Sequence, residues 1–431
     1  MQSDCAGGGT PAMKVCISGR HHSGSVTVPP SKSLSHRALL AAALANGEST
    51  IKNLGDSQDI QASMACLSAL GARIHTENGS CLVKGRLAYT GLPLDCQDSG
   101  STLRFLLPLA ATLNTPVAFL CSGQLLRRPQ SVYEKLFEAQ NIRFEKRENG
   151  YLVDGQLKPG NFRVQGDVSS QFISGLLYAL PLLDGDSRLE VQLPFESASY
   201  VQLTLEVLKQ FGIEIYREQH NVFRIAGGQC YKAAKCTIEG DWSQAAFFGV
   251  LGALGEPVSL LGLNKDSQQG DRILFDYLRK SGAKAVWQDE ALRVSKGALQ
   301  HAEFDLSDCP DLGPALAALI AGSGQGGALM NAERLRYKES DRLAALAQDL
   351  TILGFFVKLQ EDALFLTSHT PRTHVMSVRG FGDHRIVMAM AVLATVLKHP
   401  VIIEEAQAVA KSYPDFFEKL SRFGVEVSYD E

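Results

Sequence analysis

The stretch Phe211-Gly212-Ile213-Glu214-Ile215, with the residues that follow it, decides the fold. Gly212 stands where a helix would end, because glycine is the usual residue just past a helix C-terminus. Residues 216–219 and 222–225 follow directly, and two short strand-like runs joined by a tight turn are typical of a β-hairpin. The stretch therefore predicts a helix that ends at a glycine and leads into a hairpin.

The same pattern recurs five more times, at intervals of about 70 residues. The further copies are Leu70-Gly71-Ala72-Arg73-Ile74, Gln140-Asn141-Ile142-Arg143-Phe144, Ser281-Gly282-Ala283-Lys284-Ala285, Leu353-Gly354-Phe355-Phe356-Val357 and Phe423-Gly424-Val425-Glu426-Val427. The second residue of each copy, a glycine or an asparagine, is predicted to mark the C-terminus of a helix.

Two series of predicted helix starts keep the same spacing. The first series lies near Ser33, Ser101, Ser170, Asp241, Asp311 and Asp383. The second lies near Ser57, Arg128, Ser199, Gln269, Ser340 and Ser412. Each unit then has the element order β-α-β-α-β-β, and the six phased units predict an α/β protein of repeated subdomains that pack on one another.

The predicted domain organisation is a discontinuous lobe with a second lobe inserted into it. Pro29-Pro30 and Glu239-Gly240 are the expected crossing points. Residues 30–239 would hold three units, and residues 1–29 with 240–431 would hold the other three, including a strand near Val15 to Ile17. Two facing lobes would form a cleft lined by helix N-termini, and the active site is expected in that cleft.

The composition is that of an ordinary globular chain, with 431 residues, 45% hydrophobic and 20% charged. A net charge of −4 and a pI of about 6.2 argue against nucleic acid or a membrane as partner. The nine cysteines follow no disulfide or zinc spacing, so reduced thiols and a cytoplasmic location are expected. Residues 1–12 lack the apolar segment of a signal peptide and are interpreted as a loose tail.

Polar motifs precede the apolar helices of the first half of the chain. Ser31-Lys32-Ser33-Leu34-Ser35-His36-Arg37 stands before an alanine- and leucine-rich run, and a helix N-terminus with nearby cations favours an anion. Asp98-Ser99-Gly100-Ser101-Thr102 contains a glycine that would allow close approach of a ligand. Arg127-Arg128-Pro129 is expected to open a helix, with proline at its first position. Ser169-Ser170-Gln171 opens another.

The second half carries further motifs of this kind: Pro310-Asp311, Lys338-Glu339-Ser340-Asp341-Arg342, Asp383-His384-Arg385 and Lys411 before the last helix. Ser340 is expected to cap its helix. Ordinary capping is the competing explanation for each motif taken singly. Taken together, six cations at equivalent positions would repel one another in an empty cleft, which predicts a ligand with several negative charges. They are Lys32, Arg128, Lys338, Arg342, Arg385 and Lys411.

From about Lys14 to its end, the chain resembles the 5-enolpyruvylshikimate-3-phosphate synthase family of enolpyruvyl transferases. The resemblance rests on the SKS…R, SSQ, PD, KE[ST]DR and DHR motifs and a late lysine, all quoted above. It implies a two-lobed inside-out α/β barrel with three units in each lobe. It also implies transfer of the enolpyruvyl group of phosphoenolpyruvate to the 5-hydroxyl of shikimate 3-phosphate, through a tetrahedral intermediate, in the shikimate pathway. No cofactor and no metal are expected.

The resemblance implies the following site residues. Shikimate 3-phosphate would be held by Lys32, Ser33, Arg37, Ser169, Ser170, Gln171, Ser197, Tyr200, Asp311 and Lys338. Phosphoenolpyruvate would be held by Lys32, Gly100, Arg128, Gln171, Arg342, His384, Arg385 and Lys411. The catalytic residues would be Asp311, Glu339, Lys32 and His384. Glu339 would protonate the methylene carbon, and Asp311 would accept the proton of the hydroxyl.

Several positions depart from the commonest family pattern. Asp98 and Ser101 replace an asparagine and a threonine, Ser199 replaces a proline, and Arg334 stands where many members have asparagine. Because Gly100 has no side chain, glyphosate is expected to inhibit the enzyme at the phosphoenolpyruvate site. The protein is expected to be a monomer. Three alternatives stay open at this point: a UDP-N-acetylglucosamine enolpyruvyl transferase, an RNA 3′-terminal phosphate cyclase, and a non-catalytic anion-binding protein. The first of these has a reactive cysteine in the loop before the Arg-Pro pair, and the nearest cysteine to that loop here is Cys121.

Overall fold

The structure is a computed structural model that describes residues 13–77 and 79–430. The predicted tail at residues 1–12 therefore lies outside the described residues, the first of which is Met13. The α-helices are Lys32–Leu44 (α1), Gln58–Ala69 (α2), Gly100–Ala110 (α3), Ser131–Ala139 (α4), Ser170–Ala179 (α5), Ala198–Gln210 (α6), Trp242–Leu254 (α7), Leu274–Lys280 (α8), Gly313–Ser323 (α9), Arg342–Ile352 (α10), His384–Ala394 (α11) and Phe416–Ser421 (α12).

The strands of the first half are Lys14–Ser18 (β1), Gly24–Thr27 (β2), Gly47–Lys52 (β3), Arg73–Glu77 (β4), Ser80–Gly85 (β5), Leu94–Asp95 (β6), Val117–Leu120 (β7), Arg143–Arg147 (β8), Gly150–Asp154 (β9), Asn161–Gln165 (β10), Ser187–Gln192 (β11), Ile215–Gln219 (β12) and Val222–Ile225 (β13). Those of the second half are Lys235–Thr237 (β14), Val258–Leu261 (β15), Lys284–Gln288 (β16), Ala291–Ser295 (β17), Ala302–Asp305 (β18), Gly327–Met330 (β19), Phe355–Leu359 (β20), Leu364–His369 (β21), Met376–Val378 (β22), Val401–Ile403 (β23) and Glu426–Asp430 (β24). Short 3₁₀ turns include Gly270–Ile273, Pro310–Leu312, Glu333–Tyr337 and Ala406–Lys411.

The strands form four-stranded mixed sheets, one for each of the six predicted units. The unit that contains Gly212 shows the common plan. Its strand order is β10-β11-β13-β12, with β10 parallel to β11, β13 antiparallel to β11, and β12 and β13 paired as the predicted hairpin. Helices α5 and α6 make the two crossovers between these strands, so the observed element order is the predicted β-α-β-α-β-β.

Two units borrow their first strand from a distant part of the chain. Strand β14 pairs in parallel with β3, and β2 pairs in parallel with β15. Strand β1 lies between β23 and β24 in the last unit. An isolated bridge joins Pro30 to Gly240, where the chain was expected to cross between lobes. The N-terminal segment therefore completes sheets of the second half, while residues 235–237 complete the first sheet.

All six turn residues of the repeat have positive φ angles, which confirms their predicted place just past a helix. The φ values are 101° at Gly71, 57° at Asn141, 78° at Gly212, 87° at Gly282, 98° at Gly354 and 82° at Gly424. Residues with a side chain rarely adopt this left-handed region, and asparagine is among the few that tolerate it. The backbone geometry of the helix ends therefore explains why the pattern recurs in the sequence.

The described residues form two hydrophobic cores. One contains buried residues between positions 38 and 238. The other combines residues between 15 and 28 with residues between 242 and 425. We propose on this basis that the chain divides into lobes near residues 29–30 and 239–240. In the described part of the chain, every helix is too short or too polar to cross a membrane.

The structure corrects three predicted helix starts. Helix α4 begins at Ser131 rather than at Pro129, because the backbone N–H of Arg128 bonds to the carbonyl of Gln124 in a preceding turn. Helix α10 is capped by Asp341, whose side chain accepts a hydrogen bond of 3.0 Å from the N–H of Ala344. The hydroxyl of Ser340, expected to cap this helix, instead donates to Asp383 at 3.1 Å.

The third correction concerns the last helix, α12, which begins at Phe416. Lys411 is the last residue of a separate 3₁₀ turn. The aromatic residues Tyr413 and Phe416 pack against Phe248 with ring centroids 6.0 and 5.6 Å apart, and this contact with the core places the helix.

Candidate active site

The predicted site residues converge on one cavity of about 70 Å³ between the two lobes. Helix N-termini from both lobes line it, as the sequence predicts. The predicted residues in its wall are Lys32, Ser33, Arg37, Gly100, Arg128, Ser169, Ser170, Gln171, Ser197, Tyr200, Asp311, Lys338, Glu339, His384 and Arg385. Arg342 and Lys411 are buried beside the cavity without forming part of its wall. Arg342 contacts Glu339 in the wall, and Lys411 contacts Asp98, which lies outside the wall.

Helix α1 brings Lys32 to the cavity through contacts with two carboxylates. The backbone N–H of Lys32 donates to Asp241 at 2.9 Å, across the two lobes. Its ammonium group donates to Asp59 at 2.8 Å. Asp241 also caps α7 by accepting from the N–H of Gln244 at 3.0 Å. One aspartate therefore joins the starts of two facing helices.

Arg37, predicted to contact shikimate 3-phosphate, lines the cavity, but most of its N–H groups donate hydrogen bonds to other groups of the protein. It donates to the carbonyl of Ser33 at 2.8 Å, the hydroxyl of Thr204 at 2.8 Å and the carbonyl of Tyr200 at 3.0 Å. Burial lowers its pKa, which is opposed by the phenol groups of Tyr178 and Tyr200. These contacts fix α1 against α6.

Gln171 is held in place by an arginine that the sequence predictions omitted. The Gln171 side chain donates to the hydroxyl of Ser101 at 2.8 Å and accepts from Arg104 at 2.9 Å. Arg104 lies in the cavity wall and stacks on the ring of Phe172 at 4.6 Å. The available signal was a single cation inside the apolar run of α3. Asp59, Asp241 and Arg334 also line the cavity and were not among the predicted site residues.

The absence of a side chain at Gly100 allows Arg128 to lie against the start of α3. A Cβ atom at this position would lie 2.6 Å from Nη1 of Arg128, well inside contact distance. The same Nη1 atom is 3.9 Å from a carboxylate oxygen of Glu339. Gly100 therefore makes room for the guanidinium of Arg128, which lies in the turn before α4.

Asp311 is surrounded by three cations. Its carboxylate oxygens lie 3.0 Å from Arg342, 3.2 Å from Arg385 and 3.3 Å from Lys338. Burial by itself raises the pKa of Asp311, but the three cations outweigh burial and hold that pKa well below its usual value. Asp311 is therefore ionised in this state of the protein. The same burial lowers the pKa of Lys338 to about 8, against the raising effect of Asp311.

Glu339 is ionised for the same reason. Arg342 donates to it at 2.7 Å, and Arg128 lies nearby. Burial raises the pKa of Glu339, while Arg342, Arg128 and Lys411 together hold it well below its usual value. Arg342 is fully buried and also binds Asp383 at 2.7 Å, so it connects three acidic side chains.

His384 is neutral, and its ring nitrogens make no hydrogen bonds to the described residues. It is fully buried, and neither ring nitrogen has a hydrogen-bond partner among the described residues. Burial lowers its pKa well below the usual value, and the nearby charges of Lys32 and Arg385 lower it further. A neutral imidazole with two free nitrogens at the cavity wall is available to a ligand.

One premise of the sequence reasoning is corrected by these contacts. The six cations were expected to repel one another unless a polyanionic ligand bound, but each lies within 4.0 Å of a carboxylate of the protein. Lys411, for example, lies 2.5 Å from Asp98, and the charges of Glu339, Asp59 and Asp98 raise its pKa despite burial. An anionic ligand would therefore compete with acidic side chains already present.

Three of the four positions that depart from the commonest family pattern, Asp98, Ser199 and Arg334, make contacts between the lobes. Asp98 accepts from the N–H of Leu125 at 2.9 Å as well as from Lys411. Arg334 donates to the hydroxyl of Ser197 at 2.5 Å, and Ser199 donates to the carbonyl of Asp308 at 3.4 Å.

The alternative with a reactive cysteine finds no support here. Cys121 is buried at the end of β7, and burial raises the pKa of its thiol to about 12. A reactive thiolate needs the opposite shift. Among the described residues, no group of three or more His, Cys, Asp and Glu side chains is arranged to hold a metal ion.

Known proteins resemble this chain over nearly its whole length. A 3-phosphoshikimate 1-carboxyvinyltransferase of Clostridium kluyveri is 43% identical over 409 residues, which are 94% of this chain and 96% of the relative. The protein of the same description from Clostridium novyi is 41% identical over 414 residues, 93% of this chain and 95% of the relative.

Two solved structures share the fold. The EPSP synthase of Acinetobacter baumannii superposes with a TM-score of 0.79 at 24% identity, over 97% of this chain and all of that chain. The enolpyruvyl transferase NikO of Streptomyces tendae superposes with a TM-score of 0.78 at 17% identity, over 97% of this chain and 99% of that chain. The two-lobed α/β fold predicted from the repeats is thereby confirmed.

The family model described as EPSP synthase (3-phosphoshikimate 1-carboxyvinyltransferase) matches residues 18–420. With this match and relatives above 40% identity over more than nine tenths of the chain, the predicted resemblance is confirmed. The chain belongs to the EPSP synthase family of transferases.

Proposed function

We infer that the protein transfers the carboxyvinyl group of phosphoenolpyruvate to the 5-hydroxyl of shikimate 3-phosphate and releases inorganic phosphate. This is the 3-phosphoshikimate 1-carboxyvinyltransferase reaction of the shikimate pathway, which leads to chorismate and the aromatic amino acids. In the addition step the 5-hydroxyl oxygen bonds to the substituted carbon of the double bond, and the methylene carbon gains a proton. In the elimination step phosphate leaves and the methyl group loses a proton, which restores the double bond.

One observation carries this inference: two carboxylates, Glu339 and Asp311, lie within a ring of cations at one cavity. The cations suit two substrates that both carry phosphate and carboxylate groups. The carboxylates suit a reaction that moves one proton onto carbon and takes another from a hydroxyl. A site that only binds anions would gain nothing from these acidic side chains.

The assignment of residues to substrates is part of the proposal. Shikimate 3-phosphate contacts Lys32, Ser33, Arg37, Ser169, Ser170, Gln171, Ser197, Tyr200, Asp311 and Lys338. Phosphoenolpyruvate contacts Lys32, Gly100, Arg128, Gln171, Arg342, His384, Arg385 and Lys411. The free nitrogens of His384 and the position of Arg128 beside Gly100 support the second set.

The catalytic roles follow from the charge states. Asp311 is ionised and accepts the proton of the 5-hydroxyl. Glu339 donates a proton to the methylene carbon, which requires that its pKa rise when substrate binds. The anionic groups of phosphoenolpyruvate neutralise Arg128 and Arg342, the cations that depress this pKa, and so supply the rise. Lys32 serves the bridging oxygen and the departing phosphate.

Substrate entry must displace contacts that the protein makes with itself. Lys411 pairs with Asp98 and Arg334 donates to Ser197, and both contacts join the two lobes. Entry of the substrates between the lobes would open such contacts, and closure over them would exclude water and strengthen the charge contacts.

Three further properties belong to this proposal. Glyphosate inhibits the enzyme at the phosphoenolpyruvate site, where the absence of a side chain at Gly100 allows Arg128 to lie against the start of α3. The protein acts as a monomer, because a single chain supplies the residues on both sides of the proposed site. A cytoplasmic location is supported by the cysteines of the described residues, which are all free thiols.

The test is phosphate release from phosphoenolpyruvate with shikimate 3-phosphate, beside a parallel reaction with UDP-N-acetylglucosamine. Release is expected only with shikimate 3-phosphate. The Glu339→Gln variant should lose most of the activity, because an amide does not transfer the proton. Release with the sugar nucleotide alone would refute the substrate, and a fully active E339Q would refute the assigned acid.

A further inference from the structure

Asp271 is a buried carboxyl next to the cavity that has no assigned role. It lies in the 3₁₀ turn before α8 and is 2% exposed. Its Oδ2 atom contacts two hydroxyls, Oγ of Ser243 and, at 3.2 Å, Oη of Tyr200. Its Oδ1 atom has no hydrogen-bond partner among the described residues. A buried carboxylate with a bare oxygen is costly, so this environment favours the neutral acid.

Tyr200 stands between two carboxyl groups. Its hydroxyl oxygen lies 3.2 Å from Asp271 and 3.3 Å from Asp311. A phenol has one hydrogen to donate, so only one of these contacts can be made by the tyrosine proton. The other contact is a hydrogen bond only if the carboxyl on that side carries a proton.

The surrounding charges decide which carboxyl holds that proton. Asp311 has three cations within 4.0 Å, while the ion pairs formed by the described residues include none to Asp271. Burial and the charge of Asp311 raise the pKa of Asp271 to about 7, against the lowering effects of Ser243 and Arg385. The pKa of Tyr200 is raised well above its usual value, mainly by burial, so the phenol keeps its proton.

The remaining titratable neighbours do not reverse this assignment. Asp241 adds a further negative charge that favours protonation of Asp271. Burial, the largest cause, raises the pKa of the Cys309 thiol, which therefore stays neutral.

We propose that Asp271 is a positioning residue that donates its own hydrogen to the Tyr200 hydroxyl and thereby directs the Tyr200 hydrogen at Asp311. The proposal rests on the proposed function, in which Asp311 accepts the proton of the substrate hydroxyl. When Asp271 loses its proton, the Tyr200 hydrogen turns to Asp271. Asp311 then loses a hydrogen-bond donor and gains a negative neighbour, and both changes make it a stronger base. Turnover should therefore rise as pH increases through the titration of Asp271.

The experiment measures kcat for phosphate release against pH in four proteins. The wild type should show a rising limb with a midpoint near 7, the value that burial gives Asp271. Asp271→Asn should lack this limb, because an amide donates at every pH and does not titrate. Tyr200→Phe should also lack it, because the connection to Asp311 is removed.

Asp349→Asn is the matched control. Asp349 is also fully buried, and burial raises its pKa to about 7, but it lies at the end of α10 that points away from the cavity wall. This variant should keep the limb of the wild type. Loss of the limb in D349N would overturn the proposal, because the limb would then report a general effect of pH on the fold.

A double variant separates positioning from a merely structural role. In a Tyr200→Phe background, adding Asp271→Asn should change kcat by less than about twofold, because the two residues act through one connection. Losses that multiply independently would overturn the proposal, as would an unchanged limb in D271N. Where D271N does not fold by circular dichroism, the Y200F profile alone decides: a limb that persists there overturns the proposal. An inactive wild type would refute the proposed function, and this inference with it.

Discussion

At the scale of single residues, the cavity depends on which side chains are missing and which charges are paired. Gly100 contributes space, and the space is filled by Arg128. Asp98 contributes a charge, and it is paired with Lys411. Neither effect is visible in the sequence, because both partners lie far away along the chain. Each effect leads to a substitution with an expected sign.

Gly100→Ala should raise both the KM for phosphoenolpyruvate and the glyphosate concentration needed for half inhibition, by about tenfold or more. The added methyl group would lie 2.6 Å from Nη1 of Arg128, so the guanidinium must move away from the substrate. Steady-state kinetics with and without glyphosate measure both quantities. The KM for shikimate 3-phosphate is the internal control and should change much less. Equal effects on both substrates would contradict the assignment of Gly100 to the phosphoenolpyruvate side.

Asp98→Asn should lower the KM for phosphoenolpyruvate by a few fold, because Lys411 would no longer be neutralised by a carboxylate at 2.5 Å. The amide oxygen would still accept from the N–H of Leu125, so the local turn is kept. The gain should shrink with added potassium chloride, as expected for a charge effect. In a Lys411→Met background, D98N should have no effect on this KM. A benefit that survives there would show that Lys411 is not the cause.

At the scale of elements, the six helix ends explain the repeat that the sequence displays. Each of these ends requires a residue with positive φ, and glycine or asparagine meets that requirement at each of them. Helix starts are less regular, because three different devices occur: a side-chain cap as in α10, a preceding 3₁₀ turn as in α8, or an uncapped start as in α4. This variety is why predicted starts at Pro129 and Ser340 were wrong while the predicted ends were confirmed.

Gly212→Ala should destabilise the protein by about 1–2 kcal/mol, since φ is +78° and the left-handed region costs a side chain roughly that amount. Its methyl group would also press on the side chain of Lys232 at 2.9 Å. Gly91→Ala is the matched control, because φ is +85° there and nothing lies within 4 Å of the added atom. Urea denaturation should therefore give a loss for G91A that is no larger than the loss for G212A. A neutral G212A would contradict the role of this residue as a helix end.

At the scale of the whole molecule, the two hydrophobic cores stabilise the fold, while the proposed reaction takes place in the cavity between them. Most of the charged groups at the cavity are balanced by ion pairs, either within one lobe, as for Asp311 with Arg385, or across the two, as for Lys411 with Asp98. Asp349 is different: it is fully buried, its Oδ1 accepts from the N–H of Arg379 at 3.2 Å, and its Oδ2 has no partner among the described residues. Such a group makes folding depend on pH without any part in the proposed reaction.

Asp349 should contribute stability that is lost as pH rises from about 4 to about 7. Over this range Asp349 is ionised in the unfolded chain but keeps its proton in the folded one, because burial raises its folded pKa to about 7. Asp349→Asn should lack this loss, so its stability relative to the wild type should rise with pH and reach a gain of up to about 4 kcal/mol at pH 8, an upper limit at about 1.4 kcal/mol per pKa unit. Urea denaturation from pH 4 to pH 8 measures it. An unchanged slope in D349N would contradict the assignment.

The sequence by itself determined the repeat, the order of elements in each unit, the family and most of the residues that line the cavity. It could do so because the backbone at a helix end requires glycine or asparagine, and the backbone at a helix start favours polar residues. These requirements act on neighbouring residues and can therefore be recognised in the sequence. Only the tertiary structure decided which cation pairs with which carboxylate, why Arg104 reaches Gln171, and that β2 and β14 complete distant sheets. Those features join residues that are far apart along the chain. Packing and burial bring such residues together, and no local pattern records the distance between them.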